Sequence, residues 1–198
     1  MGLTPPEIIR QALAQRVVER VDGTGMIPAA VMILLYRKEG EYCILLNKRS
    51  EEVEHHKGEM SFPGGARDPE DFDLLETALR ETEEEMGIKR EDITVLGEMD
   101  EIVTRSNFQV SVFTGTIKYP YQFTPSAIEI AEVVEFPVAA LIDPINRRVE
   151  TRWIDGMPLT SYSYVHEGHV VFGATARILQ SCIEILDDRL ESEGHQLD

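Results

Sequence analysis

Glu81, Glu84 and Glu85 are the residues from which chemistry is first expected. Glu81 lies three residues from Glu84 and four from Glu85. At ~100° per residue the three carboxylates share one side of a helix, within about a third of a turn. Like charges at these spacings destabilise an isolated helix by ~0.2–0.5 kcal/mol per pair. Carboxylates near a helix C-terminus also oppose its macrodipole. A hard divalent cation such as Mg²⁺ or Mn²⁺ reverses that penalty, because it prefers carboxylate oxygens and water. The bland alternative is a solvated acidic face on an acidic protein. The preceding segment, SFPGGARDPED, favours the metal. Gly64-Gly65 permits close approach of backbone N–H groups to a ligand, and glycine-rich turns leading into a helix are common phosphate cradles. Glutamate face and glycine turn together describe a site for a metal ion and a diphosphate.

Such a site needs a frame. Residues 73–87 read as a helix that stops at Gly87. Leu75, Leu79, Thr82 and Met86 form its core stripe, and Glu76 and Arg80 are placed for an i,i+4 ion pair. Residues 50–72 read as an irregular loop, unusually long for a compact domain and therefore a functional candidate. Upstream, 5–20 read as an amphipathic helix opening at Pro5-Pro6, broken at 22–25. Strands follow at 29–36 and 42–47 around Glu39-Gly40, the first apolar enough to be buried on both faces. Downstream, strands are expected at 95–98, 102–103, 109–119 and 128–136, with a short helix at 137–143. Residues 149–153 and 159–165 alternate like strands around Asp155-Gly156. A long helix over 170–190 ends the ordered chain, and 191–198 read as a frayed tail.

The chain's 198 residues suit one domain. The formal net charge of −17 disfavours nucleic-acid binding through a basic face. No apolar run approaches the ~20 residues of a membrane span. The opening MGLTPPEIIRQ lacks the order of a secretory signal, and Pro6 stands where myristoylation needs Ser or Thr. Cys43 and Cys182 lie far apart in apolar runs and read as buried free thiols, which suits a reducing cytoplasm.

Arg80-Glu81-Thr82-Glu83-Glu84-Glu85-Met86-Gly87-Ile88 resembles the second half of the box of the Nudix hydrolases, R-E-U-x-E-E-x-G-U, with Thr82 at an aliphatic position. The first half departs from that box. Asp71 stands where the box has a Glu, with five residues between it and Gly65, and eight residues rather than seven separate it from Arg80. Leu45 to Ser50, Gly58 and Phe62-Pro63-Gly64-Gly65 resemble the stretch preceding the box in the coenzyme A pyrophosphatase subfamily, which carries this longer box with Asp. Where that stretch usually has an Arg, this chain has Glu54, His55 and His56. Phe172 to Leu179 is similar to the subfamily's closing motif, with Phe for Trp. The resemblance spans 29–180.

It implies an α/β/α sandwich with a mixed sheet between helices, and hydrolysis of a diphosphate bond by water. Glu81, Glu84 and Glu85 would ligate Mg²⁺ or Mn²⁺, buttressed by Arg80. Glu129, Glu132 and Glu81 are the candidate general bases. Arg49, Lys57, Lys48 and Arg67 could meet substrate phosphates, beside Gly64 and Gly65. The implied substrate is coenzyme A or an acyl-coenzyme A. ADP-ribose or NADH is the alternative, and a nucleotide-binding module without turnover is the alternative of another class. Homodimers are common in the family. His55 and His56 are read as loop residues rather than metal ligands, and Tyr119, Tyr121 and Phe123 as loop packing before adenine stacking.

Overall fold

A computed structural model of the chain describes residues 2–52, 56–154 and 156–193. Strand β1, Ile27–Lys38, organises the molecule. Its alternate side chains enter two separate cores. Ala29, Ile33 and Leu35 join one cluster, while Ala30, Met32, Leu34 and Tyr36 join the other. This is the burial on both faces that its unbroken apolar run required.

Around β1 lies a mixed sheet. β1 pairs antiparallel with β2 (Glu41–Arg49) and β4 (Gly64–Ala66), and parallel with β6 (Phe108–Thr116). β2 in turn pairs antiparallel with β3 (Met60–Ser61) and β7 (Ile130–Pro137), and β6 with β5 (Thr94–Val103). Helix α2, Leu74–Met86, covers one face. Helices α1, Pro5–Ala14, and α4, Gly173–Glu193, cover the other. The layers are those of an α/β/α sandwich. The short helix α3 spans Val138–Ile142. β8 (Arg147–Ile154), β9 (Met157–His166) and β10 (His169–Val171) form a second, three-stranded sheet. Tyr164 anchors it to α4 by donating its hydroxyl to Gln180 at 2.5 Å.

Several boundaries differ from the sequence reading, each for a tertiary reason. Helix α1 ends at Ala14, not at residue 20. The chain beyond it is taken up by β5: Arg16 pairs with Asp100, Arg20 with Glu98 and Glu101, and the Glu101 amide donates to the Glu19 carbonyl. The loop over 50–72 holds β3 and β4, because its backbone has β2 and β1 to bond to. Residues 94–103 form one bulged strand instead of two. The last helix starts at Gly173, since 169–171 pair with β9. α4 runs to Glu193, so 191–193 of the expected 191–198 tail are helical, while the rest of that tail, the Asp155 turn residue, Glu54 and His55 lie outside the described residues.

Candidate active site

Helix α2 is closed at both ends by its own sequence. Asp73 caps the start by accepting the Glu76 amide at 2.8 Å. Gly87 ends it at φ 68°, a left-handed conformation that favours glycine. Its core side consists of Thr77, Ala78, Thr82, Glu85 and Met86, all buried. Leu75 and Leu79 of the expected stripe are only partly buried against the same core. The helix is thus turned slightly from the predicted orientation, and the turn carries Glu85 inward, to 2% side-chain exposure.

The Glu85 carboxylate accepts from Asn47 Nδ2 and from the Gly64 amide, each at 3.1 Å. Arg49 Nη1 stands 3.5 Å away, while Arg49 Nε is buried with no hydrogen-bond partner among the described residues. Burial pushes the Glu85 carboxyl up to about 7, against the pull of Gly64 and Arg49 and helped by the charges of Glu81 and Glu129. The Gly64 amide is engaged by Glu85 in this structure. Both glycines serve space. A Cβ on Gly64, at φ 152°, would stand 2.3 Å from the Ala30 carbonyl oxygen, and one on Gly65 2.6–2.7 Å from the Glu81 carboxylate.

Arg80 is held by Asp71, not by Glu76. Its Nε and Nη2 donate to the two Asp71 oxygens at 2.9 and 3.0 Å. Asp71 also accepts from the Asp68 amide and the Thr77 hydroxyl. These bonds, Arg80 foremost, hold its carboxyl well below the usual range despite burial. From this anchor Arg80 Nη1 reaches Glu81 at 2.8 Å and Glu84 at 3.0 Å. Asp71 thus fixes the arginine that orients two of the three glutamates, despite the altered spacing. Glu76 instead accepts the Phe72 amide at 2.7 Å and pairs with Arg90.

The loop carrying Glu129 is strapped to the end of α2. The Thr124 amide donates to the Met86 carbonyl and the Ser126 amide to that of Glu85. Ser50 grips the same loop, its amide donating to the Glu129 carbonyl at 2.8 Å and its hydroxyl to that of Ile128 at 2.5 Å. The charge of Glu129 raises both Glu81 and Glu85, though burial is the larger cause for each. Glu132 is drawn away to His169, at 3.2 Å, and does not join the cluster.

Of the other expected substrate contacts, Lys57 is exposed on its loop and Lys48 is half-buried in β2. Arg67 is occupied by the Asp71 and Phe72 carbonyls. His56 meets Glu59 and Ser106, outside the cluster. Tyr119 stacks on Tyr36, and Tyr121 packs on Phe123. Both cysteines are buried free thiols. Asn47 is the residue that sequence reasoning missed. It is fully buried, bonded to Glu85 and to the Ser61 hydroxyl. One carboxamide in the apolar run YCILLN was the available signal.

Among the described residues, no three acidic, His or Cys side chains already surround one point at ligating distance. Glu84, 58% exposed, is turned onto Arg80. The donor set nevertheless fits a hard divalent cation. Its oxygens belong to Glu81, Glu84 and Glu85, and among the described residues the buried Glu85 has two hydrogen-bond donors and one distant cation.

A sandwich of this layering with a carboxylate-lined helix defines a class of hydrolases, and the sequence matches one of them. The NUDIX domain profile matches residues 26–154, and the chain belongs to the Nudix family. It is a hydrolase of pyrophosphate bonds in nucleoside diphosphate derivatives. Nudix hydrolases generally need divalent cations. A Yersinia enterocolitica protein, called uncharacterized Nudix hydrolase NudL, is 33% identical over 156 residues, covering 77% of each chain. A Pectobacterium atrosepticum protein of the same name is 41% identical over 95 residues, covering 48% of this chain and 50% of that one. In fold the chain is similar to a Nudix hydrolase from Alicyclobacillus acidocaldarius, with TM-score 0.56 at 16% identity over 80% of this chain and 91% of that one. It is also similar to the NUDIX domain of Shewanella oneidensis NrtR, solved with ADP ribose, with TM-score 0.50 at 19% identity over 91% and 97%. No helix among the described residues is long and apolar enough to cross a membrane.

Proposed function

We propose that the chain hydrolyses coenzyme A or acyl-coenzyme A to 3′,5′-ADP and 4′-phosphopantetheine or its acyl form, using Mg²⁺ or Mn²⁺ held by Glu81, Glu84 and Glu85. The observation that carries the metal assignment is Glu85, buried and short of positive partners beside Glu81 and Glu129. When bound, the cation neutralises diphosphate oxygens and lowers the pKa of the attacking water.

The chain's residues divide the remaining work. Asp71 anchors Arg80, and Arg80 orients Glu81 and Glu84. Glu129 accepts the proton of the attacking water at its carboxylate. Arg49, with one nitrogen already facing Glu85, balances charge on a substrate phosphate, and Lys57 adds positive charge on the adjoining loop. Gly65 preserves the space that the Glu81 carboxylate occupies. The substrate is a small molecule, and the charge of −17 opposes nucleic acid as a partner. Two buried thiols suit the cytoplasm.

Coenzyme A is preferred because the segments resembling that subfamily converge on this site. Ser50 holds the Glu129 loop, Asn47 holds Glu85, and the Thr175 hydroxyl donates to the Met60 carbonyl in the strand before the glycine turn. Mass spectrometry of products from coenzyme A, acyl-coenzyme A, ADP-ribose and NADH, with each metal, tests the reading. Cleavage of the coenzyme A substrates with the highest kcat/KM is expected. Intact coenzyme A beside cleaved ADP-ribose would overturn the substrate, and no turnover of any member, with unchanged ligand affinity in Glu84→Gln, would favour a binding module.

A further inference from the structure

The two edges of the main sheet differ. β5 is fastened to the segment after α1, whereas β7, at the opposite edge, pairs with β2 alone among the described residues. The register shows which backbone groups of β7 are left over. Glu39-Gly40 is a two-residue turn with both φ positive, 52° and 99°. Lys38 and Glu41 therefore exchange hydrogen bonds, and so do Tyr36 and Cys43 two residues on. At the far end of β2, Arg49 bonds to Glu59 and Gly58. The odd-numbered residues of β2 thus turn their backbone groups away from β7. Ile44, Leu46 and Lys48 bond instead to Phe136, Val134 and Glu132. The N–H and C=O groups of Ala131, Val133 and Glu135 point outward, with no partner among the described residues. Pro137, which has no N–H, takes the next outward position.

A cavity of about 570 Å³ runs along this edge. Cys43 from the α2 side of the sheet and Phe136 from the α4 side both line it, and those sides meet only around the strand edge. The β9–β10 turn forms one wall: His166 packs on Phe136, and His169 stands 3.2 Å from Glu132. The β1–β2 turn forms the other. Five glutamates, Glu39, Glu41, Glu132, Glu135 and Glu167, line the cavity against one lysine, and Lys38 is already paired with Glu135.

We propose that the β7 edge takes a basic peptide segment of a partner protein as an added strand. The segment's backbone pairs with Ala131, Val133 and Glu135, and its Lys or Arg side chains meet the glutamates. Successive side chains of a strand point to opposite sides. Carboxylates wait on both, Glu39, Glu41 and Glu135 on one wall, Glu132 and Glu167 on the other. The same charges reject an acidic chain, including a second copy at net charge −17. This inference is independent of the substrate and metal assignments.

Fluorescence anisotropy with dye-labelled peptides tests it. A peptide of four Lys-Thr repeats should bind saturably, and its affinity should fall by about tenfold as salt rises to ~0.5 M. Four Glu-Thr repeats should not bind. The Lys-Thr peptide with every backbone amide N-methylated keeps its charge but has no strand donors, and should not bind either. V133P removes one outward N–H and no bond to β2, and should weaken binding by at least about tenfold. E39Q/E41Q should weaken it by about three- to tenfold. The amide resonances of Ala131, Val133 and Glu135 should shift on titration. No binding of the basic peptide at ~1 mM would overturn the proposal. So would equal affinity for the N-methylated peptide, or binding that neither variant changes. A dimer formed without peptide and lost in V133P would assign the edge to a second copy and overturn it too. If V133P fails to fold, the N-methylated peptide and the amide shifts decide the matter.

Discussion

Two buried glutamates, Glu85 on α2 and Glu101 on β5, have similar exposure, 2% and 3% of the side chain, and opposite electrostatics. Glu101 accepts from Arg20 at 2.9 Å, the Val21 amide at 3.1 Å, Gln109 at 2.9 Å and Ser111 at 3.0 Å. Burial raises its carboxyl, but those donors outweigh burial and the net shift is downward. Glu85 has two neutral donors and a guanidinium at 3.5 Å, and its carboxyl rises to about 7. Burial alone therefore does not mark a functional carboxylate. Unmet acceptor capacity does, because it is what a cation can fill. Glu101 is a closed structural joint that fastens the segment after α1 to the sheet. Glu85 is an open position.

The sharpest way to break this contrast is to remove each charge and measure turnover. Glu81→Gln and Glu85→Gln should each lower kcat/KM by on the order of 10²–10³, ~2.7–4 kcal/mol of transition-state stabilisation. Glu101→Gln should leave it within about threefold, as a residue outside the site. Steady-state kinetics at saturating Mg²⁺ checks both, and equal losses would erase the distinction.

Stability should rank the pair in the other order. Glu101→Ala strands Arg20, Gln109, Ser111 and the Val21 amide, at a cost of about 2–4 kcal/mol in denaturant unfolding. Glu85→Gln should instead stabilise the metal-free protein at pH 8, by about 1–3 kcal/mol. The sign follows from the raised carboxyl. Its contribution is complete below the ordinary ~4.3 of a glutamate and is lost as pH rises through about 7. Metal-free wild type should weaken across that window, and the Gln variant should not. Asp71 runs the opposite way. Its depressed carboxyl contributes above the ordinary ~3.9 of an aspartate, and that contribution is lost as pH falls through the lower folded value.

Asp71→Asn tests the positioning of Arg80. It should reduce metal affinity and kcat/KM by about 10–100-fold, with part of the loss recovered at high metal concentration. A merely structural Asp71 would lower melting temperature without that metal dependence. The smallest effect belongs to Lys57→Ala, exposed on its loop, which should raise KM by no more than about threefold and leave kcat unchanged.

The sequence by itself determined the sandwich class, the double burial of β1, the boundaries of α2 and the gathering of glutamates on one part of that helix. The sandwich class is what the resemblance to the Nudix hydrolases implied, and the rest follow from local periodicity or from a cap, such as Asp73 and Gly87, that acts within a few residues. Only the tertiary structure decided that Glu85 faces inward while Glu84 stays exposed, that Arg80 answers to Asp71, and that the loop carrying Glu129 is strapped to the end of α2 while Glu132 pairs with His169. Those outcomes depend on partners distant in the chain, Asn47, Arg49 and Ser50 among them, and on desolvation. Sequence spacing cannot register desolvation, because the surrounding low-dielectric volume exists only after the layers have packed.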